Sequence, residues 1–531
     1  MNSLRTSCIG RAKAETQDCL VVGAGINGAV AAAALAGKGA KVTVIDKADF
    51  GSFTSQESSN LAWGGIKYLE NYEFGLVWGL CKSRNHLMKS YPSQVREIRF
   101  YTSIAKGFRK PRILIYLGAL LYWFMGRFQT KPPRLLSVST IRKEAPMIDG
   151  AALAGGLEYS DCYFVENDTR FAFGFIRKVL QTGGCAINYM ELVSADFHDG
   201  LWHCSLRDHV TGQAHRLMAK TLVNAAGPFA DKINAMLRID CPFKHIFSKG
   251  AHIIVPQFSK TERVLTFFAS DGRLFFMIPM GERTCIGTTD TRVDNEVAEP
   301  SADDVEFLLA NANALLNLEK PLARKDVIAQ RCGVRPLVVK KTADVGNAEW
   351  TALSRKHEID IQPSKKMCSI YGGKLTDCIN VGEEISGIVE SFGVPLVQSL
   401  KPWYGEPSAQ NKKRFEAVGT KLGLDEAQRA RLWRRYGKDA FKCLEKIRND
   451  ASMANIVIEQ YTRAELHHMA EYELVVRLED FLRRRSRLAL TQHPATLRCD
   501  PGMPEAARIL FGQHADAELA RYFSSDEAVA P

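Results

Sequence analysis

The first ordered pattern along the chain is an unbroken apolar run, Cys19 to Gly23, too short for a helix and of the length of a strand buried on both faces. It runs into Gly23-Ala24-Gly25-Ile26-Asn27-Gly28, and the alanine-rich stretch Ala29 to Ala36 then predicts a closely packed helix. After Gly37-Lys38-Gly39 a second strand, Val42 to Ile45, ends on Asp46. Strand, glycine turn, helix, strand and terminal acid together form a βαβ unit that grips a dinucleotide. A tight turn at Gly23, approach of the backbone to a pyrophosphate at Gly25 and close helix packing at Gly28 each require that no side chain be present. The helix N-terminus, which carries Asn27, offers free N–H groups and the positive end of its dipole to the phosphates. Asp46 is placed to accept from a ribose hydroxyl.

Further along, Thr221 to Asn224 leads into Ala225-Ala226-Gly227-Pro228, a strand that returns to the same sheet after a long excursion, with Gly227 at the cofactor. NAD-binding domains close without such a detour, so the discontinuity favours FAD. Short strand patterns at His252 to Val255, Leu274 to Ile278 and Thr284 to Ile286 alternate with turns and predict a mostly antiparallel substrate sheet. Tyr371-Gly372-Gly373-Lys374-Leu375-Thr376 precedes Val381, Ile385, Ile388, Val389 and Phe392 at helical spacing, a second glycine-rich loop feeding a helix N-terminus. It is expected to aim at the flavin ring, where a positive dipole end stabilises charge on the reduced form. Beyond Pro402 strand signals fade. Thr462-Arg463-Ala464-Glu465 is a capping box expected to open a helix running through Leu474, Val475, Leu478 and Leu482.

The expected fold is therefore α/β: a discontinuous Rossmann-like FAD-binding domain, a mostly antiparallel β substrate domain and a C-terminal all-α domain. The oxidoreductase unit covers 18–402, its FAD-binding parts about 18–90, 150–240 and 365–402, with the substrate domain inserted at about 91–149 and 241–364. The helical domain follows at 403–531, and residues 1–17, which carry no apolar block, are expected to form a flexible tail.

Composition narrows the chemistry. With 531 residues, 46% hydrophobic and 24% charged, the chain is long enough for two or three globular domains. The 13 cysteines are scattered without a C-x-x-C pair, which argues against a zinc module or disulfide framework and for a reducing cytoplasm. No metal site is expected. A net charge of +11 attracts acidic partners, but no RNP, zinc-finger or basic-zipper motif supports nucleic acid. Ile113 to Gly126 is uncharged, apolar and aromatic, flanked by Arg109, Lys110, Arg112, Arg127, Lys131 and Arg134. Its 14 residues fall short of the roughly 20 that span a bilayer, so it suits a helix lying in an anionic membrane interface, with a buried core helix as the alternative. Arg483-Arg484-Arg485-Ser486-Arg487 is expected to be a solvated face.

Ser58-Ser59-Asn60-Leu61-Ala62-Trp63-Gly64-Gly65-Ile66-Lys67-Tyr68-Leu69-Glu70 resembles the loop after the second strand in FAD-dependent glycerol-3-phosphate dehydrogenases. The likeness continues through Tyr159-Ser160-Asp161-Cys162, Lys249-Gly250-Ala251-His252, Gly287-Thr288-Thr289-Asp290, Gly333-Val334-Arg335-Pro336-Leu337 and Gly372-Gly373-Lys374-Leu375-Thr376. The resemblance implies oxidation of sn-glycerol 3-phosphate to dihydroxyacetone phosphate, with electrons passed through FAD to membrane quinone at the inner face of the membrane; a homodimer is compatible with it. It places Arg335 and Lys374 on the substrate phosphate, Tyr68 and Lys67 beside it, and Arg355 as a second substrate arginine in the catalytic set. Ser58, Ser59, Gly64, Gly65, Gly373, Lys374, Leu375 and Thr376 fall at cofactor positions. His252 is the candidate base for the hydroxyl proton, because imidazole titrates near neutrality. Three residues depart from the family loop, which usually has lysine or arginine at Asn60, histidine at Trp63 and arginine at Lys67. They motivate an alternative reading, an FAD oxidoreductase of the same fold acting on another polyol phosphate or hydroxy substrate, an oxygen-using oxidase included; a flavin-binding protein without chemistry is a third.

Overall fold

The computed structural model describes residues 2–342, 357–397 and 402–526. Strand β1 (Gln17–Val22) lies between β2 (Val42–Ile45) and the strand Ala214–Asn224, parallel to both. Met367–Tyr371 continues the sheet beyond Ala214–Asn224, and Cys185–Ile187 beyond β2, again in parallel. Helix α2 (Ile26–Gly37) carries alanine at almost every position from Ala29 to Ala36, all buried. Its small radius lets it sit under both the helix Asp168–Gln181 and the helix Cys378–Ser391, packed on Phe171, Phe175, Ile176, Val381 and Ile385. The strand that returns after the long excursion is thus the one beside β1.

The second sheet is built on two long antiparallel pairs, Val95–Ala105 with Leu153–Phe164 and Phe243–Pro256 with Ala329–Lys340. Among the described residues its one parallel pair joins Val264–Phe268 to Val95–Ala105, so the sheet is mostly antiparallel. Sequence boundaries shift in two places. Leu153–Phe164 and the short strand Leu61–Ala62 pair into this second sheet although they fall in stretches assigned to the nucleotide part. Glu358–Gln362 pairs with Met367–Tyr371 in the first sheet instead of ending the substrate domain. Pairing partners lie up to 202 positions apart, as Gln17 and Ala219 do, so local pattern does not reveal which sheet a strand joins.

The C-terminal region packs helices around Phe415, Trp433, Tyr436, Leu444, Met469 and Phe481, with a small hairpin, Ile456–Ile458 with Tyr461–Thr462, added to the expected all-α set. The capping box is present, Thr462 accepting from Glu465 N–H and the Glu465 carboxylate from Thr462 N–H. The helix it opens ends at Tyr472 and does not run through Leu474 to Leu482. Leu474 turns the backbone left-handed at φ 53°, and a π-helical turn, Asp480–Arg485, starts anew because the Asp480 carboxylate accepts from the N–H groups of Val476 and Arg477.

Two expectations fail through buried charge. Residues 1–17 are no loose tail: helix α1 (Ser3–Ala14) presents Arg5, Cys8 and Ala12 at helical spacing to the interior. Arg5 is fully buried, forked onto Asp208 at 2.8 and 2.9 Å and onto the Asn188 carbonyl. An arginine serves here where an apolar block was sought. Arg483, Arg484 and Arg485 are likewise buried, not solvated; Arg484 and Arg485 both reach Asp49, at 2.7 and 2.8 Å.

The joint between the C-terminal region and the first sheet is similarly ionic. Arg170 and Arg177 grip Glu473 at 2.5 and 3.0 Å, and Arg434 and Arg435 grip Glu166. The two guanidiniums hold the Glu473 carboxyl down to about 2, against its ordinary 4.5. Because the folded value is the lower one, the contribution is fully present above pH 4.5 and is lost as pH falls toward 2. Arg170→Gln is expected to destabilise the protein by about 3 kcal/mol at neutral pH. Urea unfolding midpoints taken across the acid range should show the gap between variant and parent closing below pH 4.5; a gap independent of pH argues against this account.

Candidate functional site

The glycine turn is set by backbone contact. Gly23 has φ +95°, and a Cβ there would lie 2.5 Å from the Ala225 carbonyl oxygen; at Gly28 it would lie 1.9 Å from the Gly23 oxygen. Only glycine lets β1, the start of α2 and the returning strand meet this closely. Asp46 accepts from Ala24 N–H at 2.7 Å and from Ala48 N–H at 3.0 Å, so its carboxylate also holds the turn. Burial pushes its pKa up to about 6. Asp46 and Gly23 line a cavity of about 400 Å³ with Lys47, Phe53, Met190, Ala226 and Phe229, beside Gly227, where the backbone is left-handed. The Lys47 ammonium stands 3.2 Å from the Phe229 ring centroid.

At the other end of the turn, Asn27 donates from Nδ2 to the Gly372 carbonyl at 2.9 Å, while its Oδ1 is buried with no protein partner. The loop Gly372 to Thr376 forms one wall of a second cavity, about 280 Å³, with Ser58, Ser59, Trp63, Tyr68 and Arg335 on the others. Two cavities at the two ends of one glycine turn, with an orphaned buried acceptor beside Gly372 that a ligand hydroxyl would satisfy, fit an extended adenine dinucleotide.

The loop that carries Trp63 is fastened from below. Gly64 N–H donates to Asp161 Oδ1 at 3.0 Å, and the same carboxylate receives Arg84 at 2.9 Å and the Tyr122 hydroxyl at 2.6 Å. Thr376 Oγ1 donates to the Trp63 carbonyl, which ties the loop to the second glycine segment. Asn60, left-handed at φ 59° and buried, accepts through Oδ1 from Asp168 N–H and from Arg331. Its departure from the family residue therefore goes with a role in holding the loop.

Of the expected substrate groups, the structure gathers Arg335, Lys374 and Tyr68 on the second cavity. Arg335 is oriented by Asp290 Oδ1 and Thr288 Oγ1, both at 3.0 Å, and Lys374 Nζ lies 4.0 Å from the Tyr68 ring centroid. Lys67 is not brought there: in the 3₁₀ turn Ile66–Asn71 successive side chains diverge, and Lys67 is exposed on a different cavity. His252 is buried and absent from the walls of both cavities. Burial and the neighbouring Arg331 and Arg335 guanidiniums push its imidazole down to about 3. The titration near neutrality that recommended it as a base is lost. Arg355 lies outside the described residues. Sequence reasoning missed Arg84: Asp161 was in a quoted motif, but nothing local names a partner 77 positions away.

A third cavity, about 440 Å³ and largely apolar, lies between the second sheet and the helix Arg112–Met125, with Phe74, Leu114, Leu117, Leu121, Leu157 and Tyr159 on its walls. That helix is not a core helix buried all round but is buried on one face only. Ala119, Tyr122 and Met125 are buried, while Ile113, Leu114, Leu117, Leu121 and Phe124 stay between 40% and 57% exposed. The Tyr159 ring stacks at 5.0 Å on Phe100, a wall residue of the second cavity.

Comparison with known proteins agrees with this arrangement. Residues 18–358 match the family described as FAD dependent oxidoreductase, and residues 402–513 the C-terminal domain of alpha-glycerophosphate oxidase. The chain is 30% identical to the glycerol-3-phosphate dehydrogenase of Pseudomonas aeruginosa, over 91% of this chain and 94% of that protein. It is 31% identical to the D-erythritol 1-phosphate dehydrogenase of Brucella abortus, over 69% and 72%. The solved glycerol-3-phosphate dehydrogenase from Bacillus halodurans, complexed with FAD, has the same fold, with a TM-score of 0.78 at 24% identity, covering 99% of this chain and 97% of that one. Glycine turn, paired cavities and these relationships together place the chain in the FAD-dependent glycerol-3-phosphate dehydrogenase family, as an oxidoreductase whose cofactor is FAD.

Proposed function

We propose that the protein oxidises sn-glycerol 3-phosphate to dihydroxyacetone phosphate and passes the electrons to membrane quinone. The observation that carries this reading is the convergence of Arg335, Lys374 and Tyr68 on the cavity at the Gly373 end of the glycine turn. FAD, when bound, supplies the two-electron acceptor. A guanidinium fork and an ammonium point charge are the complement of a phosphate dianion. Asp290 and Thr288 keep the Arg335 fork aimed before substrate arrives, which lowers the ordering cost of binding. Trp63, Phe100 and Phe276 form the apolar side of the same cavity and keep water from the reacting carbon.

For the acceptor, support comes from the apolar cavity under the helix Arg112–Met125. Its exposed leucines and Phe124, with Arg109, Lys110, Arg112 and Arg127 at the ends, suit an anionic lipid surface at the inner face of the membrane. Among the described residues no helix is long and apolar enough to cross a membrane, so attachment would be at one leaflet. A second reading, oxidation of a longer polyol phosphate, is favoured by the relationship to a D-erythritol 1-phosphate dehydrogenase and by Trp63 at the family's histidine position.

Three measurements test these statements. Anaerobic addition of glycerol 3-phosphate to the purified holoprotein is expected to bleach the oxidised-flavin absorbance; bleaching by erythritol 1-phosphate alone moves the assignment to the second reading. Arg335→Gln should raise KM for the phosphorylated substrate by about ten- to hundredfold, as loss of a charged hydrogen bond implies, and an unchanged KM removes Arg335 from the phosphate site. Leu117→Asp with Leu121→Asp should abolish cosedimentation with anionic vesicles while leaving bleaching intact; undiminished cosedimentation excludes this helix as the membrane face.

A further inference from the structure

We infer that the C-terminal helical domain is a working part of the cofactor site, with Arg483 as the positioning residue that connects them. The 3₁₀ turn Phe53–Glu57 is the piece of chain between them, and each of its four polar side chains makes a hydrogen bond. Ser55 Oγ accepts from Ile26 N–H at 3.0 Å, at the first residue of α2 and inside the glycine turn. Thr54 Oγ1 donates to the Val334 carbonyl, and Glu57 Oε2 accepts from Cys332 N–H, so the turn is also fixed to the strand that bears Arg335. The residues that follow it, Ser58 and Ser59, line the cavity at the Gly373 end.

The remaining face of that turn is held by the C-terminal domain. Arg483 Nη2 donates to the Gln56 carbonyl at 2.8 Å and to Glu57 Oε1 at 3.1 Å, and Arg484 Nη1 reaches Gln56 Oε1 at 3.1 Å. These contacts cross more than 420 positions of sequence. The π-helical turn that carries them is itself locked, since Arg484 and Arg485 are anchored on Asp49, four residues past the end of β2. Of the three consecutive arginines, Arg484 and Arg485 fix the turn to Asp49, Arg484 also touches the Gln56 side chain, and Arg483 alone of the three holds both the Gln56 carbonyl and the Glu57 carboxylate. Arg483 serves the carbonyl and the carboxylate from the same nitrogen, Nη2, and the planarity of the guanidinium fixes the direction of both bonds. If the domain only stabilised its neighbour, any ionic contact in the joint would serve equally. Arg483 is distinguished by what it holds: a segment bonded to the pyrophosphate turn on one side and continuous with the flavin wall on the other.

The test separates positioning from stability. FAD dissociation constants are read from the recovery of free-flavin fluorescence on serial dilution of the holoprotein, alongside thermal unfolding and the visible circular dichroism of the bound flavin. Arg483→Gln is compared with Arg434→Gln, which breaks a contact with Glu166 in the same joint and touches no part of the loop. Both are expected to lower Tm, but only Arg483→Gln should raise the FAD dissociation constant, by about tenfold, and alter the dichroism. Arg483→Lys, which keeps charge without the planar guanidinium and its reach, should give a smaller rise of about threefold and covers the case that the glutamine variant does not fold. Equal changes in the two joint variants, or an FAD affinity unchanged in Arg483→Gln or Arg483→Lys, would overturn the inference.

Discussion

At the end of β1 the carbonyl oxygen of Gly23 occupies the place a side chain on Gly28 would need, and the Ala225 carbonyl does the same to Gly23. Three stretches of backbone are therefore pressed together without intervening side chains, and the rest of the nucleotide domain follows from that. A helix starting so near the sheet can carry only small residues, hence the buried alanines of α2. Its first N–H, that of Ile26, donates to Ser55 Oγ, and Asp46, engaged with Ala24 and Ala48, stiffens the turn before it. The aspartate is partly structural and partly available, a compromise reflected in a pKa raised to about 6 by burial.

Around this centre the protein is joined by buried charges to an unusual degree. Asp49 with Arg484 and Arg485, Glu473 with Arg170 and Arg177, Glu166 with Arg434 and Arg435, and Asp208 with Arg5 all lie in or near the interior. Such pairs repay little net stability after desolvation, yet breaking one partner leaves an uncompensated charge. Their value here is geometric. Apolar surfaces tolerate sliding, whereas a forked guanidinium accepts one register, and the cofactor loop is bordered by these contacts.

The parts of this arrangement that were legible in the sequence are those determined locally. β1, the glycine turn, α2 and β2 fall within thirty residues, and each position's requirement is met by its own residue type. The second glycine segment and the Thr462 capping box were legible for the same reason. Long-range ion pairing leaves no such trace: Arg5 with Asp208, and Arg485 with Asp49, are charges that sequence alone assigns to solvent. Phase was the obstacle at Lys67 and Tyr68, where a 3₁₀ turn sends adjacent side chains to different cavities. For His252 the obstacle was environment, since burial first, and then the guanidiniums of Arg331 and Arg335 on the paired strand, push its imidazole down.

The stacked rings of Phe100 and Tyr159 form a partition, one face belonging to each of two chambers. A polar guest in the first chamber and an apolar guest in the second can be in residence simultaneously, since neither needs the other's space. The two chambers share no lining residue, so a change at either ring reshapes both while each keeps its own opening.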